Sequence, residues 1–166
     1  MNKIKTILLI GCCGSGKTWV CKQLIKEFNL NLNAKIKSFY FRTNKKISVM
    51  GKYVGSVFDG SDKLSMSVMK DVNYLKSTQL KHDMIIISEG DRFMNKTFIK
   101  KFNPYIIKIE DDGAAGRVKR NTTQTARQIK SIETRVSNIN FNKSVPFSED
   151  ALQLIKKIIN EEIKTN

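Results

Sequence analysis

The residues best equipped for chemistry lie near the N-terminus, in Gly11-Cys12-Cys13-Gly14-Ser15-Gly16-Lys17-Thr18. The octet matches the pattern GxxxxGK(S/T) in full. Glycines at both ends let the backbone curl until successive N–H groups aim at one phosphate, and a helix beginning behind them adds its partial positive charge. Lys17 has the reach for β- and γ-phosphates, and the Thr18 hydroxyl is spaced to meet magnesium. The spacing predicts a site for ATP and Mg2+ cradled by Gly11 to Thr18. Cys12 and Cys13 read as small residues tolerated where backbone makes the contacts, because no histidine base lies nearby to activate a thiol.

Phosphoryl transfer also needs a carboxylate near the metal, a group at the acceptor hydroxyl and cations on the moving phosphate. Between Phe28 and Phe58 the chain has no acid, so the first candidates are Asp59 and Asp62. A second group is Ser88-Glu89-Gly90-Asp91-Arg92, which follows the apolar run Met84-Ile85-Ile86-Ile87. A carboxylate at the carboxyl end of a buried strand sits where α/β folds bind ligands. Glu89 is therefore expected beside magnesium with Thr18, and Asp91 and Arg92 over the site from the next loop. Either Asp62 or Asp91 is expected to orient the acceptor hydroxyl. The alternative is a strand that merely ends in polar residues.

Arginine forks grip phosphate oxygens bidentately. Four of the six arginines, Arg117, Arg120, Arg127 and Arg135, fall in one short stretch beside Gly113 and Gly116. The stretch from about 111 to 135 reads as a basic lid that closes over the nucleotide, with Arg117 and Arg120 on the transferring group. For Arg127, and for Lys130 beside it, a solvated helix face is the competing reading, and Arg135 stays open between the two. Between cradle and lid, Lys45, Lys46 and Lys52 are placed to follow a polymer backbone, and Tyr53 and Phe58 to stack on a base. Core packing is the alternative for both aromatics. Trp19 is expected in the core, and the single histidine, His82, on the surface at a helix end.

These groups need elements to hold them. Lys3 to Ile10 reads as a buried strand and Lys17 to Phe28 as a helix, with Val20, Leu24 and Phe28 at helical spacing. Asn29 to Asn33 reads as a linker, then Ile36–Phe41 and Lys46–Val54 as strands turning around Thr43-Asn44. Gly60-Ser61-Asp62 is expected to cap a long helix from Lys63 to Leu80. Further strands are expected at Asp83–Ser88 and Tyr105–Ile109. Helices are expected at Asn95–Phe102, Thr125–Ser137 and from Ser148 onward, with a polar loop over Asp111–Thr123. Strands alternating with helices predict an α/β fold of three layers around a mainly parallel sheet, in one domain over residues 1–166.

Composition sets the outer bounds. The chain has 166 residues, 40% of them hydrophobic and 27% charged, which suits one globular domain. Thirty lysines and arginines against fifteen acids leave a net charge of +15. The excess is uneven, since the first 58 residues carry eleven bases and one acid, Glu27. Such a field favours phosphate-bearing partners, nucleic acid among them. A drift toward lysine, asparagine and isoleucine accounts for part of the lysine count, but not for clustered arginines. The apolar runs are too short to span a bilayer, and Met1 to Lys5 lacks a signal-peptide layout, so no membrane role is expected. Three cysteines, two of them adjacent, fit a reducing compartment.

Several blocks together carry a resemblance. They are Gly11 to Thr18, Gly51-Lys52-Tyr53-Val54-Gly55, Gly60-Ser61-Asp62-Lys63-Leu64-Ser65-Met66, Glu89-Gly90-Asp91-Arg92 and the stretch from Gln124 to Asn138. In order and spacing the chain resembles the small P-loop kinases of bacteriophages that act on 5-hydroxymethyluracil in DNA. The resemblance implies a nucleoside-monophosphate-kinase-like fold and transfer of phosphate from ATP to the 5-hydroxymethyl group of the base within DNA. It also implies action in the cytoplasm of an infected bacterial cell. A base inside duplex is hard to reach, so flipping or a single-stranded substrate is implied. Two other readings share the cradle: a kinase of free nucleoside monophosphates, and a nucleotide-regulated DNA-binding ATPase.

Overall fold

Along the first strand, Ile7 and Leu9 alternate with Leu8 and Ile10, and all four are fully buried. Alternate side chains point to opposite faces of a sheet, so this strand must be covered on both. The computed structural model, which describes residues 3–56, 59–121 and 124–165, shows that arrangement. The strands are β1 (Thr6–Gly11), β2 (Leu32–Ile36), β3 (Phe39–Thr43), β4 (Ile47–Met50), β5 (Ile85–Glu89), β6 (Tyr105–Ile109) and β7 (Lys143–Val145). The helices are α1 (Lys17–Glu27), α2 (Val72–His82), α3 (Lys96–Phe102), α4 (Ala114–Arg120), α5 (Ala126–Ser137) and α6 (Ser148–Lys164). The strands form one mixed sheet in the order β2-β3-β4-β5-β1-β6-β7. Pairs from β4 through β7 are parallel, whereas β2–β3 and β3–β4 are antiparallel.

Two apolar layers flank the sheet. Ile7 and Leu9 meet Val20 and Leu24 of α1 and Leu152, Ile155 and Ile159 of α6. Leu8 and Ile10 meet Val72 and Leu75 of α2 and Phe98 and Phe102 of α3. Helices thus cover both faces, as the alternation demands. The chain after β1 first builds β4 and β5 on one side, then β6 and β7 on the other. Such a reversal opens a crevice at the carboxyl end of β1, and the glycine-rich octet lies there. Among the described residues, no helix is long and apolar enough to cross a membrane.

Several local expectations are met. Asn95 caps α3 by accepting from the Thr97 and Phe98 amides at 2.9 and 3.3 Å. Thr125 and Gln128 exchange bonds at the start of α5, an N-terminal box that fixes where the helix begins. Others are corrected. The long helix over 63–80 starts only at Val72; before it lie 3-10 turns at Ser61–Lys63 and Val68–Asp71. Leu64 and Val68 are buried as their spacing suggested. The serines between them bond locally, Ser67 N–H to Ser65 Oγ at 3.2 Å, and so compete with helix. The strand expected over 36–41 is interrupted at Lys37-Ser38, where Ser38 is held by Asp71, and the linker before it becomes β2. The polar loop of 111–123 contains α4, started by Asp112 accepting from the Ala114 amide at 2.9 Å.

Asp59 shows why the connection after β4 is ordered. Its buried carboxylate accepts from the amides of Val54, Gly55 and Ser56 at 3.1, 2.8 and 3.2 Å and pairs with Lys22 of α1 at 3.2 Å. Burial by itself would raise its pKa, but these bonds outweigh burial and bring it down to about 2. A depressed carboxylate pKa adds stability above the unfolded-state value, and that stability is lost as pH falls through the folded value. Asp59→Asn should therefore cost about 2 kcal/mol near neutrality, with the gap from wild type closing between about pH 4 and pH 2. Denaturant titrations across that range measure it.

Candidate functional site

The site is assembled at the carboxyl edge of the sheet, where β1 and β5 end side by side, Leu9 opposite Glu89. The octet turns from β1 into α1 without a side-chain cap, leaving the first helical amides aimed into the curl. Lys17 folds back over it, its Nζ donating to the carbonyls of Gly11 and Cys12 at 2.9 and 2.8 Å. Desolvation lowers the Lys17 pKa, opposed chiefly by Glu89. Glu89 is itself buried, and burial raises its pKa against the pull of Lys17. The Thr18 hydroxyl and the Ser61 amide each donate to Glu89 Oε1 at 3.4 Å. Gly60 makes this approach possible: a Cβ there would stand 2.4 Å from Glu89 Oε1.

A hydroxyl and a carboxylate held together beside a phosphate cradle form an all-oxygen donor set of the kind magnesium prefers, with substrate oxygens and waters completing the shell. Thr18 and Glu89 therefore fit the metal expected there. The described residues contain no cluster of three or more histidine, cysteine or acidic side chains that would hold a metal without such help.

The lid is seated on the cradle, backbone against backbone. A Cβ on Gly113 would lie 1.9 Å from the Cys13 carbonyl oxygen, and one on Gly116 would lie 2.0 Å from that of Gly14. Arg117 Nη1 donates to the carbonyls of Cys13 and Asp112 at 2.8 and 2.7 Å, so it ties α4 to the cradle. Arg120, one turn on, lines the cavity over the octet together with Lys17, Thr18, Asp62, Glu89 and Asp91. That cavity is small, ≈ 60 Å³. A wider cleft of ≈ 500 Å³ adjoins it between Trp19, Lys22, Lys119, Arg120 and Glu149. Trp19, expected in the core, is 38% exposed and lines this cleft, because α1 turns that face away from the sheet. Ser148 and Glu149 also reach it from the start of α6, a contribution the sequence signalled only as a helix start.

On the other side of the cavity, Asp62 and Asp91 line a groove of ≈ 630 Å³ with Arg92, Arg127 and Arg135. The two carboxylates differ in their company. Asp91 pairs with Arg135 and, at 3.9 Å, with Arg92. Asp62 has no ion pair among the described residues. Gln124 and Ile132, which line both spaces, fall in the Gln124-to-Asn138 block but were not singled out within it.

Two expectations, for Tyr53 and Asp59, fall away from this center, and Lys52 lies to one side of it. Tyr53 packs against the core, its hydroxyl donating to the Met50 carbonyl at 3.3 Å, and burial raises its pKa well above the usual phenol value. It is not free to stack on a base. Lys52 lies over the Tyr40 ring, 4.1 Å from its centroid, rather than in the cavity. Asp59 is committed to Lys22 and the 54–56 turn. Phe58 lies outside the described residues. Burial raises the Cys12 pKa, the mark of an unreactive thiol, and His82 ends α2 exposed, as expected.

Comparison with protein-family models and with curated proteins gives no match to this chain. The seating of the lid is directly testable. Gly116→Ala sets a methyl against the Gly14 carbonyl and should destabilise the protein by about 1–3 kcal/mol. Ala115→Gly, at the exposed neighboring position, should cost about 1 kcal/mol or less. Thermal unfolding of both variants decides it.

Proposed function

We propose that this chain is an ATP- and magnesium-dependent kinase of the P-loop type, which phosphorylates the 5-hydroxymethyl group of 5-hydroxymethyluracil in DNA. One observation carries the phosphotransfer reading. The cavity holding Lys17, Thr18 and Glu89 is continuous, through Asp62, with a groove lined by Arg92, Arg127 and Arg135. A donor cradle, an unpaired carboxylate and an arginine-lined acceptor space follow one another in the order that in-line transfer needs. The order of the parallel strands, with β1 between β5 and β6, supports the nucleoside-monophosphate-kinase-like fold. The excess of positive charge supports a polymeric acceptor, and the resemblance of the sequence blocks supplies the base.

In this reading the octet amides and Lys17 hold the β- and γ-phosphates. Lys17 leaves the carbonyls of Gly11 and Cys12 to do so. Thr18 and Glu89 hold the magnesium, which neutralises charge on the phosphates when bound. Arg120 faces the transferring group, and Arg117 keeps the lid in place behind it. Asp62 accepts a hydrogen bond from the acceptor hydroxyl. The hydroxyl oxygen bonds to the γ-phosphorus, the bond to the departing ADP oxygen breaks, and the hydroxyl proton passes to Asp62. Asp91 serves through Arg135 and Arg92, as a positioning residue.

γ-Labelled ATP should transfer label to 5-hydroxymethyluracil-containing DNA and leave unmodified DNA blank; label on free nucleotides alone would overturn the reading. Asp62→Asn should lower kcat about 10²- to 10⁴-fold with little change in KM for ATP, whereas Asp91→Asn should chiefly raise KM for the acceptor. Trp19 is the sole tryptophan and lines the nucleotide cleft, so its fluorescence should respond to ATP with magnesium in wild type. Lys17→Ala should abolish that response at matched concentrations.

A further inference from the structure

The antiparallel hairpin β2–β3 extends the sheet beyond α1 and α6, the helices that cover its parallel part on that side. On the hairpin's other face Ala34, Ile36, Phe39 and Phe41 are turned into the core. The face left open carries Asn33 opposite Arg42 and Lys35 opposite Tyr40. Asn33 and Lys35 are exposed, and Tyr40 and Arg42 half-buried. Two ammonium groups converge on one ring: Lys35 Nζ stands 4.8 Å and Lys52 Nζ 4.1 Å from the Tyr40 centroid. At the hairpin tip Lys37 Nζ lies 4.6 Å from the ring of Tyr74 on α2. No acid occurs between Glu27 and Asp59; Asp71 reaches the tip from outside the hairpin, bonded to Ser38 beside Lys37, and leaves Lys35 and Lys52 without an ion pair among the described residues.

Position gives the row its meaning. The turn Lys37-Ser38 joins β2 to β3 at the same edge of the sheet as the cradle, because β3 runs antiparallel to β4 and β4 parallel to β5. Lys52 is paired through its backbone with Gly60, at 3.0 and 2.8 Å, and Gly60 abuts Glu89. With strands about 4.8 Å apart, Tyr40 on β3 lies two strand positions, about 10 Å, from the end of β5. The cations therefore lie two strands from Glu89, on the β4–β3 side of β5.

We infer that this open hairpin face, with Lys35 and Lys52 gathered on Tyr40 and Lys37 on Tyr74, docks the phosphodiester backbone of a single nucleic-acid strand beside the acceptor nucleotide. The inference rests on the proposed polymeric acceptor. The tyrosines act as holders. A cation over an aromatic face is attracted by the ring quadrupole, which restrains a lysine that would otherwise sweep through solvent and so lowers the entropy lost when phosphate arrives. The hydrogen bond and charge of Lys35 lower the Tyr40 pKa, consistent with a close lysine–phenol association. The place of Lys52 beside Gly60, which abuts Glu89, favors a strand that also reaches the proposed reaction center over a lipid surface as occupant.

The test is binding, kept separate from transfer. A fluorescein-labelled single-stranded 20-mer DNA is titrated by anisotropy at several salt concentrations against wild type, Lys35→Gln/Lys52→Gln and Lys45→Gln/Lys46→Gln. The last pair removes equal charge from the exposed turn at the far edge of the sheet. Lys35→Gln/Lys52→Gln should weaken binding about tenfold and reduce the slope of log affinity against log salt by about 1.4. Lys45→Gln/Lys46→Gln should change the slope by less than half as much, and all three proteins should give the same Trp19 response to ATP. Equal losses in the two double variants would overturn the inference, since bulk charge would then suffice. Unchanged binding in Lys35→Gln/Lys52→Gln, or loss confined to phosphatidylserine vesicles, would overturn it as well. A protein that binds DNA through the hairpin and transfers no phosphate would sink the proposed reaction and leave this surface standing.

Discussion

The buried carboxylate of Glu89 is the constraint on which the rest of the site depends. Glu89 ends β5 in the sheet interior, where burial disfavours its charge and the charge of Lys17 offsets part of that cost. Burying a carboxylate without partners would cost several kcal/mol, so Glu89 is tolerable only with that nearby charge and with hydrogen bonds from Thr18 and Ser61. Glu89 fixes where three separate pieces of chain must meet: the curl after β1, the end of β5 and the turn at Gly60-Ser61. The last of these is held by Asp59 and Lys22, which explains why Asp59 is buried and bonded to three amides.

Around that carboxylate the chain divides labor between backbone and side chains. On the lid side the contact is backbone to backbone, and Arg117 reinforces it by bonding to carbonyls. On the opposite side the contact is ionic, with Asp91 in the loop after β5 paired to Arg135 of α5. The lid helices are thus tied to the core at two places by two different kinds of force. Asp62 lies between them with no ion pair among the described residues.

Much of this was legible in the sequence where one residue type answers one physical need. The octet, the apolar run before Glu89, and the helices starting near Asn95 and Thr125 each report a local requirement, and each is found in place. The stretch from Lys63 to Asp71 misled because its apolar spacing suits a helix. Its serines instead bond locally, and Asp71 is drawn to Ser38 across the fold. Tyr53 misled for a related reason. An aromatic reads alike in sequence whether it faces a ligand or a core, and only its packing against the core decides. Trp19 shows the converse error, for a large apolar side chain was assigned to the core although its helical position turns it toward a cleft. The stretch after Glu110 was legible as basic and glycine-bearing, but its helix was not, since the aspartates before it also suit a loop.

The glycines at 14, 113 and 116 have a consequence for how this protein can change over generations. Where two main chains touch with no side chain between them, no neighboring rotamer can absorb a new methyl group. The three positions therefore behave as one heritable unit: a replacement at any of them requires the helix and the curl to part. Surface lysines a few residues away can drift freely, while this seam stays locked to the smallest residue that chemistry offers.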